Sequence, residues 1–175
     1  MNKNFKIIDN FLEKEQFKYL QSIIFSNDIA WFYNDSLNLP DDGKQQGFYN
    51  HSIYNDYKFN SPLFENMNEF FKKLNIVSLI EIRINSMYVQ KEHYESYWHT
   101  DRPFKCKTGI FYLNTCNGKT KLKTDPITEV NSVENRMLIF DSQIEHKAIS
   151  QTDTKRRIVI NFNYYDNPCT FTSKQ

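Results

Sequence analysis

The amino-acid sequence predicts an α+β fold that is mostly β, with helices in the first half of the chain and strands in the second. Apolar residues recur at helical spacing in two segments before residue 80, whereas short alternating or apolar runs follow it. The composition agrees, because 15 Phe and 11 Tyr against only 4 Gly suit an aromatic-filled, β-rich core. We therefore expect one domain of 175 residues, built as a sandwich, jelly roll or barrel whose helices cover one outer face of a sheet.

Two amphipathic helices are predicted in the first half. The first is indicated by apolar residues at i, i+3 and i+7, namely Phe17, Leu20 and Ile24. The second is indicated by apolar residues at i, i+4, i+7 and i+11, namely Leu63, Met67, Phe70 and Leu74. Ser61 and Pro62 suit the cap and the first turn of this second helix. Between the helices, residues 36–47 are rich in Asn, Asp, Pro, Gly and Gln, which predicts a surface loop or lid.

The second half contains eight candidate strands, each bounded by turn residues. They cover residues 80–89, 97–100, 107–114, 119–124, 127–133, 136–141, 146–150 and 157–165. Asn117 and Gly118 lie between the third and fourth of these strands. Since both residue types tolerate positive φ, we expect a tight hairpin there.

The most informative residues for function are His99 and Asp101, which are two positions apart. In a strand, residues i and i+2 point to the same side, so this imidazole and this carboxylate can reach one ion. His146 follows far enough downstream for several short strands to intervene before a neighbouring strand brings it alongside. Two imidazoles and one carboxylate leave half of an octahedral ferrous ion open for substrate and oxygen. If the three side chains meet in space, they predict an iron oxygenase.

Arg157 supplies a positive charge at a suitable place after His146. One strand and one turn separate the two residues, so the guanidinium is expected one hairpin from the metal, where it can bind the far carboxylate of a chelating dicarboxylic acid. The adjacent Arg156 competes for this role. However, Arg156 shares strand parity with apolar residues of the last strand, whereas Arg157 shares parity with polar ones. We therefore favour Arg157.

Four segments in this order carry a family resemblance: HTD, TGIFYLN, NRMLIFDSQIEH and RRIVINFNY. They resemble the motif series of the Fe(II)- and 2-oxoglutarate-dependent dioxygenase superfamily, in particular its prolyl 4-hydroxylase-like branch. The resemblance runs from about Asn85 to Tyr165. It implies a double-stranded β-helix, a cupin-like jelly roll, over residues 80–166, preceded by a helical support region over residues 1–79. The whole chain, residues 1–175, would then form a single dioxygenase domain.

The resemblance also implies roles for particular residues. Fe(II) would be held by His99, Asp101 and His146, and the cosubstrate 2-oxoglutarate would chelate the iron while Arg157 binds its distal carboxylate. Tyr112 is at the position of the usual hydroxyl partner of that carboxylate, and Ile110 shares its face of the strand. With O2 as the third reactant, the implied reaction hydroxylates a C–H bond and releases succinate and CO2.

The pattern departs from the family in one run, NGKT, where paired glycines usually precede a threonine and only Gly118 and Thr120 match. An isolated His-x-Asp also occurs often by chance, so the order of the later motifs carries the assignment. One rival hypothesis is a non-catalytic jelly-roll module that binds a metal or another ligand. Another is a cupin-like metalloenzyme that does not use 2-oxoglutarate, and Arg157 argues against it.

Charge and cysteine content restrict partners and compartment. With 22 basic and 21 acidic residues the net charge is +1, which disfavours nucleic acid and anionic membranes as partners, although Lys119, Lys121 and Lys123 alternate on one strand face. The 3 cysteines lack metal-site spacing and are expected to be free thiols, and no apolar run has the length of a membrane span or signal peptide. We expect a cytoplasmic protein whose substrate is a small molecule, a protein or a peptide.

Overall fold

The computed structural model describes residues 4–35 and 47–167. The strands are β1 (Phe5–Ile8), β2 (Phe32–Asn34), β3 (Phe48–Asn55), β4 (Lys58–Phe59), β5 (Ile76–Tyr88), β6 (Lys107–Tyr112), β7 (Lys119–Leu122), β8 (Thr128–Asn131), β9 (Arg136–Asp141), β10 (His146–Ile149) and β11 (Arg156–Asp166). The helices are α1 (Lys14–Phe25), a 3-10 helix (Pro62–Met67) and α2 (Asn68–Lys73). The predicted α+β, mostly β composition is confirmed.

The strands form two antiparallel sheets of unequal size. The large sheet has the order β1-β9-β6-β11-β5-β3-β2, with β4 paired to β3, and the small sheet has the order β10-β7-β8. Strand β11 is central, because it pairs along most of its length with β5 on one side and with β6 on the other. Its inward-facing side chains therefore lie in the middle of the molecule.

The helices cover one face of the large sheet, as predicted. Helix α1 buries Phe17, Leu20 and Ile24, the residues that define its apolar face. The second predicted helix is divided into the 3-10 helix and α2, and the Ser61 hydroxyl caps it by accepting a hydrogen bond from the Leu63 amide. Phe70 stacks on Phe162 of β11 with ring centroids 4.8 Å apart. This packing encloses the larger of the two apolar cores.

The other face of the large sheet meets the small sheet. A second apolar core lies between the sheets, made of Ile110, Tyr112, Leu122, Val130, Leu138, Phe140 and Val159. The first two come from β6 and Leu122 comes from β7, so the two sheets form a sandwich. The polar residues that point inward from β5 and β11 line a cleft beside this core.

Three predictions about the strands are wrong. The first half is not purely helical, because β1 to β4 join the large sheet there; β1, β2 and β4 have only two to four residues, and β3, with eight, has no regular alternation of buried and exposed residues. Residues 97–100 do not form a strand, since their segment makes only isolated bridges, such as that between His99 and His146. Asn117 and Gly118 do not close a hairpin, because β6 lies in the large sheet and β7 in the small one.

Further predictions concern the loop over residues 36–47, the cysteines and membrane-spanning segments. The predicted loop or lid over residues 36–47 lies, except for its last residue, outside the described residues. Cys106 and Cys116 are buried free thiols, and Cys169 lies outside the described residues. None of the helices within residues 4–35 and 47–167 is long and apolar enough to cross a membrane.

Candidate active site

A pocket opens between the large sheet and the small sheet, with about 570 Å³ of empty space, part of it open to solvent. Its wall is formed by side chains from β3, β5, β6, β7, β10 and β11 and from the segment before β6. The lining residues that carry polar groups are Arg83, Asn85, Ser96, His99, Asp101, Thr120, His146, Arg157 and Asn161. The three predicted metal ligands, His99, Asp101 and His146, are therefore in one pocket with Arg157.

The three predicted metal ligands converge. One ligand atom from each of His99, Asp101 and His146 lies within 4.8 Å of the other two. The Nε2 atoms of His99 and His146 are 3.8 Å and 3.7 Å from the Asp101 carboxylate oxygen Oδ1. These distances are too long for hydrogen bonds, so the lone pairs of the three atoms remain available to a shared cation. No other cluster of three such ligands was found among the described residues.

The backbone brings the histidines together even though residues 97–100 do not form a strand. His99 and His146 exchange two backbone hydrogen bonds, with N···O distances of 3.1 Å and 2.8 Å, so their side chains leave the backbone next to each other. The ring centroids are 4.3 Å apart. Because a carbonyl oxygen can only accept, His99 Nδ1 donates to the Tyr97 carbonyl at 3.1 Å, and Nε2 is the ring nitrogen that faces Asp101.

The protonation states of the cluster suit a metal. Burial opposes ionisation of Asp101, but the nearby His146, His99 and Arg83 outweigh it and hold the pKa of this carboxyl below its ordinary value. Burial lowers the pKa of His146 to about 4, against the opposing effect of Asp101. The pocket thus presents an anionic carboxylate and a neutral imidazole at neutral pH. These are the forms in which both side chains bind metals, so the donor set fits the predicted ferrous ion.

Asn163 of β11 holds Asp101 in position. Its amide nitrogen donates to Asp101 Oδ2 at 3.3 Å and to the Thr108 hydroxyl at 3.1 Å. Both acceptors and Asn163 itself are almost fully buried. The second oxygen of the carboxylate is therefore fixed by the large sheet, while Oδ1 faces the two imidazoles.

Arg157 lies at another part of the same pocket. Its guanidinium donates to the Ser132 hydroxyl at 2.7 Å and to the Thr120 hydroxyl at 3.1 Å, and Nη1 is 3.6 Å from the Met87 sulfur. No carboxylate pairs with it within the part of the chain that the structure describes. Burial lowers its pKa, because the charged form lacks a counter-charge. Arg156, by contrast, lies on the helix side of β11, with its guanidinium 5.2 Å from the Phe25 ring centroid.

Tyr112 and Ile110 share the inward face of β6, as their strand parity predicts, but only Ile110 lines the pocket. The Tyr112 hydroxyl is fully buried and donates to Thr120 at 2.8 Å. Burial raises the pKa of Tyr112 despite the nearby Arg157, so the hydroxyl stays protonated. Tyr112 therefore does not line the pocket itself. Its hydroxyl bonds to Thr120, which lines the pocket and accepts a hydrogen bond from Arg157.

Sequence reasoning assigned no role to the polar pocket residues Arg83, Asn85, Thr120 and Asn161, or to Ser132 and Asn163, which lie behind the pocket and bond to Arg157 and Asp101. Arg83 and Asn85 alternate on β5 with the buried Ile82 and Ile84, so the strand parity was a signal that could have found them. The contacts of Asn163 and Ser132 depend on which strands meet, and nothing local in the sequence indicates them.

Other polar residues singled out in the sequence have structural contacts. His51 is buried in β3 and bonds to the Ala30 carbonyl and the Ser61 hydroxyl, both at 2.8 Å. The alternating lysines of β7 and the residue after it each pair with a glutamate. The pairs are Lys119–Glu129, Lys121–Glu95 and Lys123–Glu145. These lysines therefore offer no unpaired basic surface for nucleic acid.

Solved structures with the same fold include two oxygenases and a protein with 2-oxoglutarate bound. A prolyl hydroxylase from Trichoplax adhaerens, in complex with a hypoxia inducible factor oxygen degradation domain peptide fragment, is 17% identical with a TM-score of 0.66, covering 99% of this chain and 89% of that one. A 2OG-Fe(II) oxygenase family oxidoreductase from Burkholderia pseudomallei is 12% identical with a TM-score of 0.69, covering 94% and 86%. HygX from Streptomyces hygroscopicus, with nickel and 2-oxoglutarate bound, is 12% identical with a TM-score of 0.59, covering 96% and 84%.

At these identities the similarity establishes the fold. The neighbours include two prolyl hydroxylases and a 2OG-Fe(II) oxygenase family member, so the resemblance predicted from the four motifs is confirmed at the level of the fold. No protein-family model and no curated protein matches the sequence.

Proposed function

We propose that this chain is an Fe(II)- and 2-oxoglutarate-dependent oxygenase that hydroxylates a C–H bond of a protein side chain, an amino acid or a small molecule. The observation that carries the proposal is the convergence of His99, Asp101 and His146 within 4.8 Å, in one pocket with an Arg157 that has no carboxylate partner among the described residues. Two structural neighbours, the epimerase SnoN and HygX, have 2-oxoglutarate bound together with a metal ion, which supports 2-oxoglutarate as the cosubstrate.

In this proposal the iron is held by the Nε2 atoms of both histidines and by a carboxylate oxygen of Asp101. Arg157 binds the distal carboxylate of 2-oxoglutarate, and Thr120, supported by the Tyr112 hydroxyl, orients the guanidinium. The charges balance, because the iron with Asp101 and one bound dicarboxylate carries a net charge of −1, which Arg157 neutralises. A neutral complex is favoured in a poorly solvated pocket.

When bound, iron with 2-oxoglutarate and O2 supplies the oxidising power for C–H hydroxylation, with release of succinate and CO2. The chain itself contributes position and water exclusion. Asn163 keeps the Asp101 carboxylate oriented, and Ile110 and Val159 form an apolar wall beside the cluster. Since His146 stays neutral well below neutral pH, its Nε2 lone pair is not lost to a proton at the pH of the reaction.

We also propose that the two sheets together form a double-stranded β-helix over residues 80–166. Residues 1–79 would then support it, through α1 and α2 on the outer face and through strands added to the large sheet. The whole chain, residues 1–175, would form a single oxygenase domain.

Anaerobic addition of Fe(II) and 2-oxoglutarate tests the proposal, because their chelate gives a weak charge-transfer band in the visible spectrum. We expect the band in the wild type and its loss in His99→Ala, Asp101→Ala and His146→Ala, with loss of metal-dependent 2-oxoglutarate decarboxylation in the same three variants. His51→Ala is the matched control, because it removes an imidazole that lies outside the pocket. Absence of both the band and decarboxylation in metal-loaded wild type would exclude the oxygenase.

The rival function is a non-catalytic jelly-roll module that binds a metal or another ligand. A thermal-shift titration separates the two, because ligands that bind the native state raise its stability by mass action. Stabilisation that needs Mn(II) and 2-oxoglutarate together supports the oxygenase, whereas equal stabilisation by the metal alone supports the module.

A further inference from the structure

The pocket contains polar groups that the iron and 2-oxoglutarate do not use. Within residues 4–35 and 47–167, six buried side-chain polar atoms have no hydrogen-bond partner, and four of them belong to residues that line this pocket. Apart from His146 Nδ1, these are Arg83 Nε, Asn85 Oδ1 and Asn161 Oδ1. Buried polar atoms without partners are rare in folded proteins, so three of them in one pocket indicate a ligand that satisfies them.

The register of the large sheet places these three groups together. Arg83 of β5 lies directly opposite Asn161 of β11, and Asn85 is two residues further along β5 on the same face. Asp101 lines the same pocket as these three residues. The three groups thus form a polar strip on β5 and β11, next to the metal ligands.

The charges near this strip do not balance. Glu81 accepts a hydrogen bond from Arg102 Nη2 at 2.6 Å, while its other oxygen is 3.9 Å from Arg83 Nη1, beyond hydrogen-bond distance. One carboxylate therefore faces two guanidinium groups. With Arg157 assigned to 2-oxoglutarate, Arg83 remains as a positive charge without its own counter-charge. An anionic group on the substrate would supply it.

We propose that Arg83, Asn85 and Asn161 form the subsite for the primary substrate, and that this substrate carries a carboxylate beside an N–H or O–H donor. The inference rests on the proposed oxygenase function. The planar guanidinium of Arg83 donates to the carboxylate, and the amide oxygens of Asn85 and Asn161 accept from the neighbouring donor. This is the pattern of an α-amino or α-hydroxy acid, free or at the carboxyl terminus of a peptide.

Arg83 and Arg157 would bind two different carboxylates. Arg157 is 3% exposed and held by two hydroxyl groups, whereas the Arg83 side chain is 32% exposed with its Nε unpartnered. The more buried guanidinium suits a cosubstrate that must be enclosed. The more accessible one suits a substrate that enters afterwards from solvent.

Thermal-shift measurements under nitrogen, on protein loaded with Mn(II) and 2-oxoglutarate, test the subsite without turnover. The probes are the free L-α-amino acids and L-lactate, the corresponding carboxamides, and short peptides with a free carboxyl terminus. We expect at least one carboxylate probe to raise the unfolding midpoint by several degrees, and its carboxamide to leave the midpoint unchanged. The peptide arm distinguishes a free acid from a chain terminus.

The variants assign the shift to Arg83. Arg83→Gln should lose it, and Arg83→Lys, which keeps the charge but not the planar fork, should retain only part of it. Arg156→Gln is the matched control and should retain all of it, because it removes the same charge from the other face of the sheet. If Arg83→Gln does not fold, loss of part of the shift in Arg83→Lys decides the question.

Three results would overturn the subsite: no carboxylate probe shifts the loaded wild type, a carboxamide shifts it as much as its acid, or the Arg83 variants keep the full shift. The stabilisation by Mn(II) and 2-oxoglutarate alone is a separate readout. If that stabilisation is present in wild type and Arg83→Gln alike, the oxygenase function stands even where the subsite fails. If it is absent from the wild type, the proposed function fails first.

Discussion

Gly118 lies against Arg157: a Cβ atom at Gly118 would come within 2.7 Å of Arg157 Cδ and within 2.9 Å of the Ile149 carbonyl oxygen. Because the second contact is with backbone, a side-chain rotation cannot relieve both. The glycine therefore provides the space in which the Arg157 side chain lies. A residue expected to shape a hairpin thus has a packing role beside the proposed cosubstrate site.

Replacing Gly118 by alanine should displace Arg157. We expect Gly118→Ala to destabilise the fold by about 1–3 kcal/mol, as overpacking does, and to weaken 2-oxoglutarate binding by about tenfold, or about 1.4 kcal/mol. Urea unfolding and calorimetric titration of the Mn(II)-loaded protein measure the two effects. Gly109→Ala is the control, because its Cβ would meet neighbours only at ordinary contact distances of 3.5 Å and more. Unchanged binding in Gly118→Ala would contradict the packing role.

Arg157 and Arg156 should differ sharply in their effect on the cosubstrate. Arg157→Ala removes the proposed partner of a buried carboxylate, which should cost about 2–5 kcal/mol of 2-oxoglutarate binding. Arg156→Ala removes a guanidinium that lies over Phe25 on the helix side, so binding should be unchanged. The KM for 2-oxoglutarate in a succinate-release assay measures both. The reverse order of effects would transfer the role to Arg156.

Asn163 should affect the metal rather than the cosubstrate. Asn163→Ala removes the hydrogen bond to Asp101 Oδ2, and loss of such an orienting partner typically lowers metal affinity by about 10- to 100-fold. Titration with Mn(II) or Fe(II) under nitrogen measures the change. Asn60→Ala serves as the control, because its side-chain amide donates to the Ser52 hydroxyl at an exposed position outside the pocket. Equal metal affinity in wild type and Asn163→Ala would show that Asp101 needs no such support.

The ion pair between Asp9 and Arg136 should make stability depend on pH. Hydrogen bonds from Arg136, at 2.6 Å and 3.0 Å, lower the pKa of Asp9 against the opposing effect of burial. A carboxyl with a lowered pKa stabilises the fold above its ordinary pKa and loses that contribution as the pH falls through the lowered value. The Asp9 side chain is 54% exposed, so solvent screening keeps the contribution below about 1 kcal/mol.

Urea unfolding of wild type and Asp9→Asn at pH 7 and at pH 2 measures this contribution. The variant should be slightly less stable at pH 7, and the difference should shrink as the pH falls to 2, because Asp9 becomes protonated. Asp28→Asn is the control, since Asp28 has no ion-pair partner in the described ranges. A stability difference that is undiminished at pH 2 would assign the effect to something other than the charge of Asp9.

Parts of the fold and site could be predicted because they depend on local periodicity. The apolar spacing of Phe17, Leu20 and Ile24 identified α1, and alternation along the last strand separated the inward Arg157 from the outward Arg156. The strands of the first half could not be found in this way, because β1, β2 and β4 have only two to four residues and β3 has no regular alternation of buried and exposed residues. Their positions depend on pairing with distant strands.

The sequence by itself determined which residues could form the site: the order of His99, Asp101, His146 and Arg157, and the face of β11 on which Arg157 lies. Only the tertiary structure decided which groups meet. It placed β11 between β5 and β6, set Arg83 opposite Asn161, and brought Asn163 to Asp101. The physical reason is that side-chain parity is a property of one strand, whereas register and sheet order depend on the free energies of contacts between segments far apart in the chain.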